Sequence, residues 1–171
     1  MLVKLESNSL ELVSKGPGCY WLIRMQNDEN PKAIGRVSDE DPHGILYIGK
    51  SDSLRTRFKD MLKQFNMKIS EISATASSGH PASYEWQVSP QNRKAHPLSS
   101  IYFTYEQLPG KDTEFMELVY LANYRNRFGE YPPWNQPPRN FKKYLPADNP
   151  TGRAPFHYSP DCLTWLPPHF K

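Results

Sequence analysis

Tyrosine and cationic side chains recur over a short stretch of the chain, in a pattern suited to binding a phosphodiester. Tyr20 ends a Gly-Cys-Tyr triplet, Tyr47 begins a Tyr-Ile-Gly triplet, and Lys50 and Arg57 follow the second triplet. Hydrolysis of a phosphodiester needs an activated water, neutralised phosphoryl oxygens and help for the leaving oxygen. Hydroxyl groups and an arginine fork are suited to those tasks. We therefore predict a site able to hold a phosphodiester.

Both tyrosines lie in segments typical of β-strands. Residues 19–24 and 45–49 are rich in aromatic and β-branched residues. The polar residues 26–43 between them carry no helical pattern, so we expect the two strands to pair antiparallel. Alternation places Tyr20 on the opposite face of the first strand from Cys19. A tyrosine alone is common in any sheet, so the sequence that follows the second strand is what favours a site.

A helix is predicted over residues 54–65, directly after the second strand. Asp52 or Ser53 can cap its first turn. Apolar residues recur at helical spacing along one side, and they are Leu54, Phe58, Met61, Leu62 and Phe65. Arg57 lies off this apolar stripe, on a helix that begins where the strand with Tyr47 ends.

A third strand and a second long helix complete the predicted domain. Residues 100–105 have a strong strand pattern, and residues 114–128 have a helical one. Asp112 or Thr113 can cap this helix, and Gly129 is suited to end it. The sequence therefore predicts one α/β (α+β) domain with a small, mainly antiparallel three-stranded sheet flanked by helices.

Two segments fit this scheme less readily. Residues 66–98 are interpreted as an insert in a domain that spans 1–136, and residues 84–88 within it alternate like a strand or a short ordered piece. Residues 137–171 are dense in proline, which excludes a regular helix or a central strand. Because this segment also carries aromatic residues, we expect a C-terminal extension packed on the domain.

The bulk composition limits the class of protein. The 171 residues suit one domain, and the net charge of +3 permits a nucleic-acid partner without requiring one. No apolar run approaches the ~20 residues that span a bilayer, and the first residues show no apolar signal-peptide core. The two cysteines, Cys19 and Cys162, form neither a metal cluster nor a disulfide framework. We therefore expect a cytoplasmic protein without a membrane partner.

The histidines show no metal-ligand spacing. They are His43, His80, His96, His157 and His169. His43 is the nearest of them in sequence to Tyr47, and one of the five could approach the site. We interpret all five as loop histidines.

The order of these segments resembles that of a GIY-YIG nuclease domain. The triplets at Tyr20 and Tyr47 correspond to the two half-motifs of the family, with Cys19 in place of the usual isoleucine. Lys50 and Arg57 then fall where the family has its lysine and its helix arginine, and Leu54 falls at its buried leucine. The half-motifs are short, but their order and the elements between them make the resemblance fairly specific.

The resemblance continues into the second half of the chain. Glu117 opens the apolar stripe of the second long helix, as the metal-binding glutamate of the family does, and Glu114 remains an alternative. Asn135 follows a pair of prolines, similar to the family's ending. The resemblance covers residues 16–65 and 100–136, and it leaves the insert and the C-terminal extension unexplained.

The resemblance implies a metal-dependent endonuclease that hydrolyses DNA phosphodiester bonds. Glu117 would hold one Mg²⁺ or Mn²⁺, and Arg57 would contact phosphate oxygens. Tyr20 would take the proton from the attacking water, and Tyr47 would orient water or phosphate. The implied catalytic residues are Tyr20, Tyr47, Lys50, Arg57, Glu117 and Asn135.

Two of these roles stay open at this point. Lys50 would stabilise the oxyanion or lower the pKa of a tyrosine, or it is a solvated lysine. Asn135 would hydrogen-bond the phosphate or hold Glu117 in place, or it only closes the turn that follows the prolines.

Basic residues near the predicted site suggest contacts with double-stranded DNA. The first helix offers Arg55, Lys59 and Lys63, and the C-terminal extension offers Arg139, Lys142 and Lys143 between aromatic residues. Such clusters are also typical of a solvated charged face. Restriction-type and repair nucleases both fit, and clean double-strand cleavage would indicate a homodimer. The alternative is a catalytically inactive GIY-YIG-like module that binds nucleic acid or protein. We would expect such a module to lack some of the tyrosine, arginine and glutamate residues named above.

Overall fold

The computed structural model describes residues 1–67, 80–109 and 112–137. The β-strands are β1 (Val3–Lys4), β2 (Gly18–Arg24), β3 (Ile34–Gly35), β4 (Glu40–Asp41), β5 (Ile45–Ser51) and β6 (Ile101–Gln107). The α-helices are α1 (Leu54–Phe65), α2 (Pro81–Val88), α3 (Pro90–Ala95) and α4 (Thr113–Phe128), and two 3₁₀ helices span Ser7–Leu12 and Leu98–Ser100. The part of the C-terminal extension that carries Arg139, Lys142 and Lys143 lies outside the described residues.

Four strands form one antiparallel sheet, in the order β1-β6-β2-β5. The antiparallel pairing of β2 with β5 is confirmed, and β6 pairs with the other edge of β2. The prediction of three strands is wrong, because Val3 and Lys4 pair with Phe103 and Tyr102 of β6. A pair of residues is too short for the two-residue alternation of a strand to be recognised in the sequence. The mixed α+β architecture is as expected.

Strand β2 is buried on both faces, with one helix layer on each side. Tyr20 and Leu22 belong to the apolar core that includes the buried stripe of α1. Cys19 and Trp21 belong to the second core, together with the buried side of α4. The predicted alternation of β2 is therefore confirmed. The Cys19 thiol donates to the Thr113 carbonyl at 3.6 Å, so this residue packs against α4 and away from Tyr20.

The caps of the two long helices follow the sequence closely. The Ser53 side chain accepts a hydrogen bond from the Thr56 backbone N–H at the start of α1, and all five apolar residues of the predicted stripe are buried. At the start of α4, Asp112 accepts from the Phe115 backbone N–H at 3.0 Å. Gly129 ends α4 with a φ of 78°, the left-handed conformation that glycine adopts most easily.

The insert is helical where it is described. Residues 84–88, interpreted from their alternation as a strand or a short ordered piece, belong instead to α2. Pro81 occupies the first turn, where its missing N–H is not needed, and His80 caps the helix. Helix α3 repeats this arrangement with Pro90 after the cap Ser89.

The polar segment 26–43 contains the small β3–β4 hairpin, which is tied to the end of α4. Arg36 donates to the Tyr131 carbonyl at 2.5 Å. Asp41 is fully buried, and its carboxylate accepts hydrogen bonds from the Ile45 backbone N–H and the Tyr124 hydroxyl at 2.9 and 3.0 Å. The segment is therefore an ordered part of the α4 face rather than a free loop. Among the described residues, no helix is long and apolar enough to cross a membrane.

Candidate functional site

Tyr20 and Tyr47 lie side by side on the α1 face of the sheet. Their ring centroids are 6.0 Å apart. Tyr20 is paired across the strands with Gly49. A Cβ atom at Gly49 would lie 2.6 Å from the Tyr20 hydroxyl oxygen and 2.6 Å from the Tyr47 ring. The glycine of the second triplet is therefore required sterically, because it leaves the space in which the two rings meet.

His80 is the third member of this aromatic group, and the interpretation of it as a loop histidine is wrong. Its Nε2 lies 2.5 Å from the Tyr20 hydroxyl oxygen, and its ring stands edge-on to Tyr47 at a centroid distance of 4.8 Å. The side chain is 3% exposed. His43, the histidine nearest to Tyr47 in sequence, lies instead at the turn before β5, where its backbone N–H donates to Asp41.

Gln64 of α1 holds His80 in place. The Gln64 side-chain oxygen accepts from the His80 backbone N–H at 2.7 Å and from the Ser83 hydroxyl at 2.8 Å. The Gln87 amide donates to the Gln64 backbone carbonyl. The imidazole Nδ1 accepts from the Ala82 backbone N–H at 3.2 Å. The insert thus holds the His80 imidazole in a fixed position beside Tyr20 and Tyr47.

His80 is held in its neutral form. Burial, with a further contribution from the positive charge of Arg57, lowers the pKa of His80 to about 3. A neutral imidazole carries one proton and one lone pair on its two ring nitrogens. The ring therefore offers one donor and one acceptor at any pH at which a nuclease would be assayed.

The two tyrosines are also neutral, and a hydrogen bond between their side chains contributes to the pKa shifts of both. Burial raises the pKa of Tyr20 well above its ordinary value, and the neighbouring Tyr47 adds to this effect. Burial raises the pKa of Tyr47 as well, and the charge of Glu117 adds to that shift. The positive charge of Arg57 and a hydrogen bond from Tyr20 oppose the shift at Tyr47.

Glu117 reaches this group from α4. Its carboxylate accepts a hydrogen bond from the Lys50 backbone N–H, and burial raises the pKa of Glu117 to about 7 against the opposing charge of Lys50. The charge of Glu117 acts on both tyrosines. Glu114, the alternative carboxylate, lies 4.0 Å from the Lys50 ammonium. Glu117 is therefore electrostatically coupled to the tyrosine pair.

Arg57 has a donor that the described residues leave unused. Its Nε is buried and has no hydrogen-bond partner within residues 1–67, 80–109 and 112–137. Its charge influences the pKa of Tyr20, Tyr47, His80 and Glu117. Buried polar groups are normally paired, so an unpaired donor at such a position is suited to an anionic ligand.

Asn135 binds the protein backbone next to the site. Its side-chain oxygen accepts from the Ile48 N–H and its amide donates to the Ile48 carbonyl, both at 2.8 Å. Both ends of the side chain are therefore engaged with β5, directly beside Tyr47. This arrangement resembles the pairing of a neighbouring strand, and it gives Asn135 a part in holding β5 in position.

The basic residues of α1 differ in their surroundings. Arg55 donates to the Glu11 carboxylate at 2.7 Å and to the Val13 carbonyl at 2.8 Å. Its guanidinium therefore joins α1 to the first 3₁₀ helix. Lys59 and Lys63 are exposed, so they remain suited to the predicted contacts with DNA.

No family model, curated protein or solved structure gives a significant match to the chain. The fold class is an α+β domain with a four-stranded antiparallel sheet, and Tyr20 and Tyr47 lie on the α1 face of that sheet. Any assignment of function depends on the geometry of this site.

Proposed function

We propose that the protein is a metal-dependent endonuclease of the GIY-YIG type, which hydrolyses phosphodiester bonds in double-stranded DNA. The observation that supports this most is the unpaired buried donor of Arg57, whose charge acts on two adjacent tyrosines and a carboxylate. Strands β2 and β5 supply the tyrosines, and α1 and α4 supply the arginine and the glutamate. These are the residue types that phosphodiester hydrolysis requires.

Each charged group has a task in this reaction. The Arg57 guanidinium binds non-bridging phosphate oxygens, and its fixed fork of donors suits them better than a lysine would. The Lys50 ammonium is half-exposed beside Glu114 and adds positive charge near the scissile phosphate. A tyrosine hydroxyl orients the attacking water and takes one proton from it while passing its own hydroxyl proton to solvent.

Glu117 is the residue that would hold a divalent metal ion. Mg²⁺ keeps several of its waters and is commonly bound by one or two carboxylates together with phosphate oxygens. A single half-buried carboxylate beside a phosphate-binding arginine meets this requirement of Mg²⁺. The same site suits Mn²⁺, which also prefers oxygen ligands. A pKa of about 7 means that the bare carboxylate is only partly ionised near neutral pH. When bound, the ion would neutralise charge on the phosphoryl oxygens.

The test is cleavage of supercoiled and linear DNA with Mg²⁺ or Mn²⁺, by the wild type and by Glu117→Gln. We expect the substitution to lower the cleavage rate at least a hundredfold, because it removes the anionic ligand while keeping size and hydrogen bonding. Glu114→Gln is the matched comparison three residues away, and we expect it to lose much less activity.

The possible outcomes separate the alternatives. Absence of cleavage by the wild type on all substrates contradicts the nuclease proposal, and DNA binding without cleavage supports the inactive module instead. Equal rates for Glu117→Gln and the wild type contradict the metal site. Discrete fragments would indicate a restriction-type enzyme, whereas cleavage of branched or damaged DNA alone would indicate repair.

A further inference from the structure

The hydrogen bonds around His80 have a direction that the structure determines. A backbone N–H can only donate, so the Nδ1 that accepts from Ala82 carries no proton. The neutral imidazole therefore carries its proton on Nε2. That nitrogen lies 2.5 Å from the Tyr20 hydroxyl oxygen, so His80 donates and Tyr20 accepts.

The direction continues from Tyr20 to Tyr47. Because the Tyr20 oxygen accepts from His80, the Tyr20 hydroxyl proton is directed elsewhere. The Tyr47 ring, whose centroid lies 6.0 Å from that of Tyr20, is the neighbour whose hydroxyl can accept it. The Tyr47 oxygen is then the acceptor at the end of this series of hydrogen bonds. Its own hydroxyl proton is the only one of the three that is not committed within the series.

We infer that His80 is a positioning residue that directs the tyrosine pair, so that Tyr47 rather than Tyr20 takes the proton from the attacking water. This inference rests on the proposed nuclease function. It changes the role expected from the resemblance, in which Tyr20 is the base. It also gives the insert a part in the reaction, since His80 lies at its first described helix.

The burial of the two rings supports this assignment. Tyr20 is 1% exposed, and it is covered by the His80 ring and stacked on Phe103 at 5.2 Å. Tyr47 is 7% exposed. A water molecule that attacks phosphate has to contact the base directly or through one further water. Tyr47 is therefore the better placed of the two.

The proton balance of the step is simple. Tyr47 passes its own hydroxyl proton to solvent as it takes one proton from the attacking water, so it is neutral before and after the step. The Tyr20 hydroxyl donates to the Tyr47 oxygen and stabilises the charge that develops there, while the water oxygen bonds to phosphorus. The bond between phosphorus and the leaving oxygen breaks, and that oxygen takes a proton from solvent. Arg57 neutralises the charge on the phosphoryl oxygens.

Two substitutions at one position separate positioning from helix capping. In His80→Asn, the side-chain oxygen can replace Nδ1 as acceptor for the Ala82 N–H, but the side chain is too short to reach Tyr20. In His80→Gln, the longer amide can donate to Tyr20 in place of Nε2, but it caps α2 poorly. Cleavage rate and stability are therefore expected to respond in opposite ways.

The experiment measures single-turnover cleavage, DNA affinity and urea unfolding for both variants. We expect His80→Asn to lose at least tenfold in rate with unchanged DNA affinity, and His80→Gln to stay within about threefold of the wild type. A folded His80→Asn that cleaves at the wild-type rate overturns the inference while leaving the nuclease proposal intact. So does a larger loss of rate in His80→Gln than in His80→Asn.

Two further measurements keep the inference testable apart from these variants. Long-range ¹H–¹⁵N spectra of the imidazoles at neutral pH should show His80 protonated on Nε2, and protonation on Nδ1 overturns the inference whether or not the protein cleaves DNA. Tyr47→Phe should lose more activity than Tyr20→Phe, and the reverse order also overturns it. Absence of wild-type cleavage contradicts the nuclease proposal, and the role of His80 in the reaction falls with it.

Discussion

Gly49 shows how one missing side chain shapes the site. The two tyrosine rings and the Gly49 backbone share one small space, and a Cβ atom would lie 2.6 Å from both rings. The rings are packed in a core, where a forced shift is costly. The position of the tyrosine hydroxyls therefore depends on a residue that has no functional group of its own.

Gly49→Ala is expected to lower the free energy of unfolding by about 1–3 kcal/mol, because added atoms in a packed core force side chains from their positions. Urea unfolding measures this change. Gly35→Ala is the matched control, since Gly35 also lies in a strand but a Cβ atom added to it would have no neighbour within 4 Å. Its stability should stay within about 0.5 kcal/mol of the wild type. Equal effects of the two substitutions would contradict the steric role of Gly49.

The neutral state of His80 predicts a dependence of stability on pH. The pKa of His80 is lowered by burial to about 3, against an ordinary value of 6.5. Between these values the unfolded chain binds a proton at His80 that the folded protein does not bind. This contribution to stability is therefore present above pH 6.5 and is lost as the pH falls toward 3, by at most about 1.4 kcal/mol per pH unit.

His80→Asn removes this titration and keeps a cap for α2. We expect the wild type to lose about 2 kcal/mol more than the variant between pH 7 and pH 4.5, as measured by urea unfolding. Taking the difference between the two proteins cancels the titration of the carboxylates that they share. Parallel stability curves for wild type and variant would show that His80 titrates in the folded protein with the same pKa as in the unfolded chain, which contradicts the prediction.

The contact between His80 and Tyr20 could not be predicted from the sequence. The two residues are 60 positions apart, and the residues around His80 are small and polar, which is typical of a loop. The local signal was the proline that follows it, because Pro81 fits the first turn of a helix and His80 then stands at the cap. Such a signal predicts where a helix begins, but it does not predict what the capping side chain contacts.

At the scale of elements, the sequence predicted those parts whose pattern is local and long. Helix α1 has the predicted bounds and the predicted buried stripe, because five apolar residues repeat at helical spacing. Helix α2 was not predicted, because the alternation of Tyr84, Trp86 and Val88 also fits a strand. In the structure Tyr84 and Val88 are both exposed, and Trp86 packs on Phe65 of α1. The packing of Trp86 on Phe65 is a tertiary contact, so the local sequence pattern alone does not distinguish a helix from a strand here.

The attachment of the first 3₁₀ helix to α1 gives a prediction about Arg55. Arg55→Ala removes hydrogen bonds to the Val13 carbonyl and to Glu11. We expect the free energy of unfolding to fall by about 1–2 kcal/mol, because a half-buried carbonyl loses a charged donor. Urea unfolding measures this loss, and DNA affinity at low and moderate salt is measured in parallel.

Lys59→Ala is the matched comparison on the same helix. Lys59 is exposed, so stability should change by no more than about 0.5 kcal/mol. If Lys59 contacts a DNA phosphate, affinity should weaken for every sequence, and the slope of log affinity against log salt should fall by about one. A variant of Arg55 that keeps full stability but loses DNA affinity would contradict its structural role.

At the scale of the whole molecule, the site is assembled from distant parts of the chain. The tyrosines and Arg57 come from the first third of the sequence, His80 from the insert, and Glu117 from the last helix described. The tyrosines, Arg57 and His80 meet because β2 lies between β5 and β6 and because α1 and the insert share one face of the sheet. Glu117 approaches from α4 on the other face and accepts a hydrogen bond from the Lys50 backbone of β5. The formation of the site is thus tied to the folding of the entire sheet.

The outer edge of β5 is covered by the chain itself. Strand β5 is the last in the sheet, and Trp134 and Asn135 hydrogen-bond to the backbone of Leu46 and Ile48 along that edge. Exposed edges of this kind promote aggregation and the continuation of a sheet into another molecule. The covered edge therefore protects the strand that carries Tyr47 from such pairing. Two copies that cut both strands of a duplex would have to associate through a surface other than this edge of β5.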